Sequence, residues 1–207
     1  MPERSRRPYA ARMTPVDRRR QLLDAALGII IRDGYGAVSI ETIAREADVS
    51  RPVIYGVFDG LGDLLGALLD RQERRALKQL AGALPGTPGD QDPGEFVVAL
   101  VRSMVEAVAG DPDTWHPILL PADGTPTVVR ERIDRDRDRV REQFEALLGW
   151  ALARRGGPAG DVDLELASHS LLVVVEQWGR LILREPERFS SERFARFVES
   201  FIGALDK

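Results

Sequence analysis

The chain has 207 residues, of which 43% are hydrophobic and 30% charged, a balance that suits a folded globular protein and excludes a disordered one. It has no cysteine and only two histidines, His116 and His169, which excludes disulfides, thiolate metal sites and a cysteine nucleophile, and leaves little for a histidine cluster or a catalytic triad. Net charge is −4, yet residues 1–20 alone sum to +5, so a basic arm precedes an acidic body.

An arm of that kind is either a solvated tail or a local footprint for a polyanion such as DNA. No apolar run approaches a membrane span, and the arginine-rich start lacks the apolar core of a secretory signal, so a cytoplasmic location is expected. Of the 29 basic residues only Lys78 and Lys207 are lysine, which, with abundant Ala, Gly and Pro, points to a GC-rich, bacterial coding sequence. No cofactor and no metal is expected.

In chain order, residues 1–13 read as a basic, disordered arm. Helices follow to the end of the chain. A capping residue followed by proline marks four helix starts: Thr14-Pro15, Asp92-Pro93, Asp111-Pro112 and Thr125-Pro126. In the first two an acid stands at the third helical position, close to a capping box.

Leu22, Leu23, Ala26, Leu27 and Ile30 form one face of a first helix. Ile40, Ile43, Ala44 and Ala47 form a short second one, and Leu61, Leu64, Leu65, Leu68, Leu69, Leu77 and Leu80 a long one. Residues 84–93, LPGTPGDQDP, are a break, and 155–160, RGGPAG, a second. Residues 131–142 alternate in charge, with Glu131/Arg135 and Asp138/Arg141 at helical spacing, and are expected to be a solvated helix face. Two broadly apolar helices, about 163–184 and 191–205, close the chain.

Residues 39–58, SIETIAREADVSRPVIYGVF, carry the most information. A short helix over about Ile40–Ala47 meets a tight break at Asp48-Val49-Ser50, then a second short helix, which is the helix-turn-helix layout. Ala44 stands where the two helices approach, Val49 fills the corner, and Ile54 and Phe58 face the core together. Arg51, Val53, Tyr55 and Gly56 are left outside. Ser39 and Ser50 are expected to cap the two helices, and such ends also favour phosphate.

From Arg18 to about Leu69 the chain resembles the DNA-binding domain of the TetR family of transcriptional repressors. The likeness rests on Arg20-Gln21-Leu22-Leu23-Asp24-Ala25-Ala26, Gly34-Tyr35, Ser39 with Ile43-Ala44, Val49-Ser50, Tyr55 and Phe58. It implies an all-α protein: an N-terminal three-helix helix-turn-helix DNA-binding domain plus a larger C-terminal helical ligand-binding and dimerisation domain.

The expected boundaries are 14–62 for the DNA-binding domain, 63–83 for a connecting helix, 84–92 for a linker and 93–207 for the effector and dimerisation domain. The implied function is a ligand-responsive repressor. It would bind a palindromic operator on double-stranded DNA as a homodimer, through its two C-terminal helices, and leave it on binding a small-molecule effector. No catalysis is implied.

The same resemblance assigns residues. Ser39, Thr42 and Ser50 would meet phosphates, and Arg45 would lie at the groove edge. Arg51, Pro52 and Val53 would approach base edges, Arg51 at a guanine and Val53 at a thymine methyl; Gly56, on the same outer face, and Val57 stand where the family is often aromatic or basic. Tyr55 would donate its hydroxyl to a phosphate. Leu61 stands where the family usually carries a phosphate-binding lysine.

In the effector domain Met104, Trp115, His116, Phe144, Glu176, Gln177 and Trp178 combine aromatic bulk with isolated polarity, which suits an apolar pocket with a few polar groups. Ordinary core packing explains each of them as well. Two rival readings differ in kind. Gly60-Leu61-Gly62-Asp63-Leu64-Leu65-Gly66 superficially resembles a dinucleotide loop, but the glycine spacing is wrong and Pro52 argues against a preceding central strand. The other rival is a helical interaction protein whose helix-turn-helix no longer binds DNA.

Deleting residues 1–12 is expected to weaken DNA binding and flatten its salt dependence. An unchanged slope in salt titrations would remove the arm from the interface.

Overall fold

A computed structural model describes residues 13–83, 89, 91–120, 125–154 and 162–205. The arm at 4–12, most of the 84–92 linker and the 155–160 break lie outside those residues. Among the described residues the chain folds as α1 (Pro15–Asp33), a 3-10 turn (Tyr35–Ala37), α2 (Ile40–Glu46), α3 (Arg51–Tyr55), α4 (Leu61–Ala83), α5 (Pro93–Gly110), α6 (Pro112–Leu119), α7 (Thr127–Arg154), α8 (Leu164–Arg184) and α9 (Ser191–Leu205), with no strand. The architecture is all-α, as the apolar spacing predicts.

Three of the four expected cap-and-proline starts are present, at α1, α5 and α6. Thr14 Oγ1 accepts from the Asp17 amide at 3.1 Å and donates to the Asp17 carboxylate at 2.7 Å, with Pro15 in the first turn. Asp92 accepts from the amides of Gly94 and Glu95, and Asp111 from that of Thr114. Two expectations are corrected. Helix α7 opens one residue late, because the amides of Val129 and Arg130 donate to the Pro126 carbonyl and so make Pro126 the cap. Ser50 holds the cap position of α3 but makes no capping bond. Pro52 has no amide to offer, and the Val53 amide already donates to the Ser50 carbonyl at 3.0 Å, so nothing remains for the Ser50 hydroxyl to cap.

One core lies under the N-terminal helices. Leu22, Ala26, Ile43, Ile54, Leu64, Leu65 and Leu68 are fully buried there, with Phe58 and Tyr35 nearly so. Helix α4 starts at Leu61, two residues before the expected boundary, and its first half closes this core. Its second half passes into another cluster with α5, α6, α8 and α9, built around Ala76, Val101, Val105, Val108, Trp115, Ile182, Phe194 and Val198. α4 is therefore shared by both bodies.

Helix α6 joins them a second time. It contains Pro117, which has no amide to give the carbonyl four residues back. That carbonyl, of Asp113, accepts from Gln72 Nε2 on α4 at 2.9 Å instead, and the Gln72 side chain is fully buried. Near the end of α6 the Pro117 carbonyl accepts from the Tyr35 hydroxyl at 3.0 Å, and the Leu119 carbonyl from Arg180 Nε on α8 at 2.9 Å. Trp115 Nε1 donates to Gln79 Oε1 at 2.9 Å, and Gln79 in turn donates to Asp111 at 2.7 Å. Burial raises the Tyr35 phenol well above its ordinary pKa, so it stays protonated and a donor.

Tyr35→Phe is expected to destabilise the protein by about 1–2 kcal/mol, because it leaves the Pro117 carbonyl buried without its donor. Urea denaturation reads this as a lower midpoint at constant slope; an unchanged midpoint would show that the bond contributes nothing.

Candidate functional site

The helix-turn-helix is held from behind. Gln21 Nε2 on α1 donates to the Ala47 carbonyl at 2.8 Å, and Arg32 pairs with Glu46 at 3.1 Å, so α1 grips the end of α2. Between α2 and α3 the chain turns through Asp48 at φ +50°, a left-handed conformation that aspartate tolerates better than most residues. The Val49 amide donates back to the Ala44 carbonyl, and the Val49 side chain packs on the core. Ile54 and Phe58 are buried, which fixes the rotation of α3, and Arg19 lies 4.4 Å over the Phe58 ring.

That rotation sets what α3 shows. Arg51, Pro52, Tyr55 and Gly56 are exposed and Val53 is half-buried, and Arg45 and Ser50 are exposed beside them. Neither Arg45 nor Arg51 has a hydrogen-bond or ion-pair partner among the described residues. Ser39 and Thr42 are engaged with each other. The Ser39 amide donates to Thr42 Oγ1 at 2.8 Å, and the Thr42 amide donates to Ser39 Oγ at 3.1 Å. Thr42 Oγ1 also has the Ala37 and Ser39 carbonyls at 3.0 and 3.1 Å as acceptors for its one proton, so Ser39 is the better placed to donate to a phosphate. Leu61 is half-buried against the core and has no polar group to offer.

The second site is a cavity of about 400 Å³ bounded by α4, α5, α6, α7 and α8. Of the seven residues singled out in the sequence, Met104, Trp115, Glu176 and Trp178 line it. His116, Phe144 and Gln177 do not, and the reason is helical phase. On α8 the lining runs through Leu172, Val175, Glu176, Gly179 and Ile182, and Gln177 is turned off that stripe into solvent. On α6 the lining residues are Trp115, Ile118 and Leu119, with His116 one step round. Phe144 is buried, but one residue past Gln143, the last α7 residue to reach the cavity. Burial lowers the His116 imidazole pKa while Asp113 opposes the shift, and its buried Nδ1 has no partner among the described residues.

The wall contributed by α7 is the largest departure from expectation. Residues 131–142 are not simply a solvated face. Asp136, Arg137 and Arg139 line the cavity with Glu73 of α4. Arg137 donates through Nε and Nη2 to the two Glu176 oxygens, at 2.5 and 2.7 Å, and Arg180 donates to the same carboxylate at 3.0 Å. Arg132 pairs with Asp70 at 2.9 Å, with Asp136 at 3.0 Å and with Glu73. The pairs expected from spacing, Glu131/Arg135 and Asp138/Arg141, do not form among the described residues; the hydrogen-bonded intrahelical pairs are Arg132–Asp136, Arg139–Asp136 and Arg141–Glu145, and the further partners on α4 and α8 are distant in the chain. Among the described residues no cluster of His, Asp and Glu is placed to hold a metal, and no helix is long and apolar enough to cross a membrane.

Residues 22–68 match the family described as bacterial regulatory proteins, tetR family. Among curated relatives, the nicotine-responsive transcriptional repressor HdnoR of Paenarthrobacter nicotinovorans is 38% identical over 74 residues. The match covers 36% of this chain and 36% of the repressor, so the chain spans about a third of that relative's length. In overall fold the chain is similar to a TetR-like transcriptional regulator from Rhodococcus sp. RHA1, with TM-score 0.72 and 23% identity over 95% of this chain and all of that one. It is also similar to the transcriptional regulator FadR of Bacillus subtilis, solved with stearoyl-CoA, with TM-score 0.66 and 16% identity over 87% of this chain and 95% of that one.

Arg51→Ala is expected to cost about 1–3 kcal/mol of specific DNA affinity and to relax one base position, whereas Arg45→Ala should lower the salt slope by about one. Equal losses on specific and scrambled DNA for Arg51→Ala would contradict base reading by that residue.

Proposed function

We propose, from the premise that the chain is a TetR-family transcriptional regulator, that it is a ligand-responsive repressor. It binds a palindromic operator as a homodimer through α2 and α3, and a small-molecule effector in the cavity releases it. The observation that carries this reading is the position of α6. One side of that helix lines the cavity through Trp115, Ile118 and Leu119, and its backbone is hydrogen-bonded to Tyr35 of the N-terminal body. A molecule that displaces α6 therefore pulls on the body that carries the recognition helix. If the cavity is filled better in a conformation with the two recognition helices at the wrong separation, DNA affinity falls by mass action.

The DNA face supports the same reading. Arg45 and Arg51 project beside the exposed Tyr55, and Ser39 stands at the start of α2. Phosphates would meet Ser39, Ser50 and Tyr55, and base edges Arg51, Pro52 and Val53. Thr42 acts through Ser39, by holding its cap.

The dimer surface is assigned to the outer faces of α8 and α9. Leu166 and Val173 on α8 are more than half exposed, as are Phe197 and Phe201 on α9, whose rings stack 6.0 Å apart. Trp178 meets Phe197 edge-on from α8, which joins the two faces. Apolar surface of this kind marks an interaction site in a soluble chain. Pairing two chains places two recognition helices about 34–36 Å apart, one turn of DNA.

The test is a selection. Purified protein is incubated with sheared genomic DNA at about 150 mM salt, where contacts to phosphate alone are weak. Retained fragments are then sequenced. Enrichment of an inverted repeat is expected, and a folded dimer, freed of small molecules by refolding, that enriches nothing would overturn the reading.

A further inference from the structure

The chemistry of the cavity narrows the class of effector, an inference that rests on the ligand-responsive reading above. We propose that the effector has a chain-like apolar body and an anionic head, and that Arg137 and Arg139 on α7 bind the head.

The polarity of the cavity is segregated. Helices α5 and α6 present apolar side chains to it, among them Val105, Val108 and Trp115, and the Trp115 N–H is already donated to Gln79. The polar lining residues are all on α7 or reach toward it from α4 and α8. An uncharged apolar ligand leaves that wall unused, and a wholly polar one finds no partners at the other end. A molecule with both parts fits both walls.

The sign of the head follows from counting donors and acceptors. Three carboxylates line the cavity: Glu176 and Asp136 are each hydrogen-bonded by two guanidinium groups, and Glu73 by one, with a second nearby. Glu176 accepts from Arg137 and Arg180. Asp136 accepts from Arg132 and Arg139, at 3.0 and 2.9 Å. Glu73 pairs with Arg132, and Arg139 stands 3.8 Å away.

The guanidinium groups are not saturated in the same way. Each has five N–H donors. Arg137 spends Nε and Nη2 on Glu176, and its Nη1 comes only within 3.8 Å of a carboxylate, that of Asp134. Arg139 bonds through Nη1 alone, and its side chain is 65% exposed. An anionic head therefore finds free donors on two arginines and disturbs no ion pair. An ammonium head can reach these carboxylates only beside guanidinium groups of its own charge, and the one lining carboxylate oxygen without a hydrogen bond among the described residues, Glu73 Oε1, already lies 3.8 Å from Arg139. The same head chemistry belongs to a free fatty carboxylate and to an acyl chain on a phosphate-bearing carrier, so the experiment carries an arm for each.

Binding is measured by calorimetry on the full chain with dodecanoate, dodecanoyl-coenzyme A, dodecylammonium and dodecanol, each below its micellar concentration. At least one of the two anions is expected to bind roughly tenfold more tightly than the ammonium, the effect of hydrogen bonds to a charged group. Tighter binding by dodecanoate identifies the free carboxylate as the source, and tighter binding by the thioester identifies the carrier form.

Arg139→Gln is expected to shrink the preference for anions while leaving dodecanol binding unchanged. Because Arg139 is exposed, this variant should fold, and Arg137→Gln gives a second reading of the same wall. Equal or tighter binding of the ammonium, no binding of any chain-bearing probe, or a preference untouched in both variants overturns the proposal. Operator affinity measured in the same samples separates the two levels. If the ammonium binds and releases DNA, the ligand-responsive reading stands and the head charge is wrong. If the anions bind and DNA stays bound, the head site stands, and both the molecule's role as effector and the release mechanism fall.

Discussion

Helix α6 is two turns long and contains a proline, so it cannot satisfy its own carbonyl groups. Three of them, of Asp113, Pro117 and Leu119, are taken by side chains from α4, from the turn after α1 and from α8. Each such bond contributes a net stabilisation of only about 1 kcal/mol, but leaving a buried carbonyl without its donor costs about 1–3 kcal/mol. The position of α6 is thus tied to three other parts of the chain at once. Because α6 also walls the cavity, and because Tyr35 belongs to the helix-turn-helix body, the arrangement of each body constrains the other.

The recognition face depends on this indirectly. Ile54 and Phe58 fix the rotation of α3, Gln21 and Arg32 fix the end of α2, and α4 closes the same core through Leu64, Leu65 and Leu68. α4 then continues as a rigid helix into the cavity wall. Two connections run between the bodies, one along α4 and one through α6. In the proposed mechanism a ligand acts on both, and the bistable quantity is the separation of two recognition helices in a dimer. Leu61, which stands where a phosphate-binding lysine is usual, is instead a contribution to the core. In the proposed mechanism, contacts to the DNA backbone then rest more on Ser39, Tyr55 and the basic arm.

The helix-turn-helix was legible in the sequence because its information is local. The capping Ser39, a small residue at the crossing and apolar residues three and four apart all fall within residues 39–58, and the exposed set Arg51, Tyr55 and Gly56 follows from the buried set. The cavity was legible only in part. Met104, Trp115, Glu176 and Trp178 line it, but Gln177 sits one helical step off the lining stripe, and a step of that size lies within the error of a phase read from pattern alone. The charged run at 131–142 misled for a different reason. In a run this dense in charge, fixed spacing offers several intrahelical pairs and does not choose among them, so Arg141 pairs with Glu145 and not with Asp138; and Arg132 with Asp70 and Glu73, and Arg137 with Glu176, join helices that are far apart in the chain. The bond from Tyr35 to Pro117 spans 82 residues and leaves no sequence signal, although the proline within α6 does mark an orphaned carbonyl.

In the proposed mechanism the cavity and the DNA-binding body communicate through α6. The most direct test is a double-mutant cycle read as operator affinity. A Cβ at Gly179 would lie 2.5 Å from Leu119 Cδ1, so Gly179→Leu forces a side chain into the cavity against the end of α6 without any ligand. This substitution is expected to weaken operator binding by about tenfold in the otherwise native chain, and much less in the Tyr35→Phe background, with helix content unchanged by circular dichroism. The same loss in both backgrounds, or no loss in either, would contradict that mechanism.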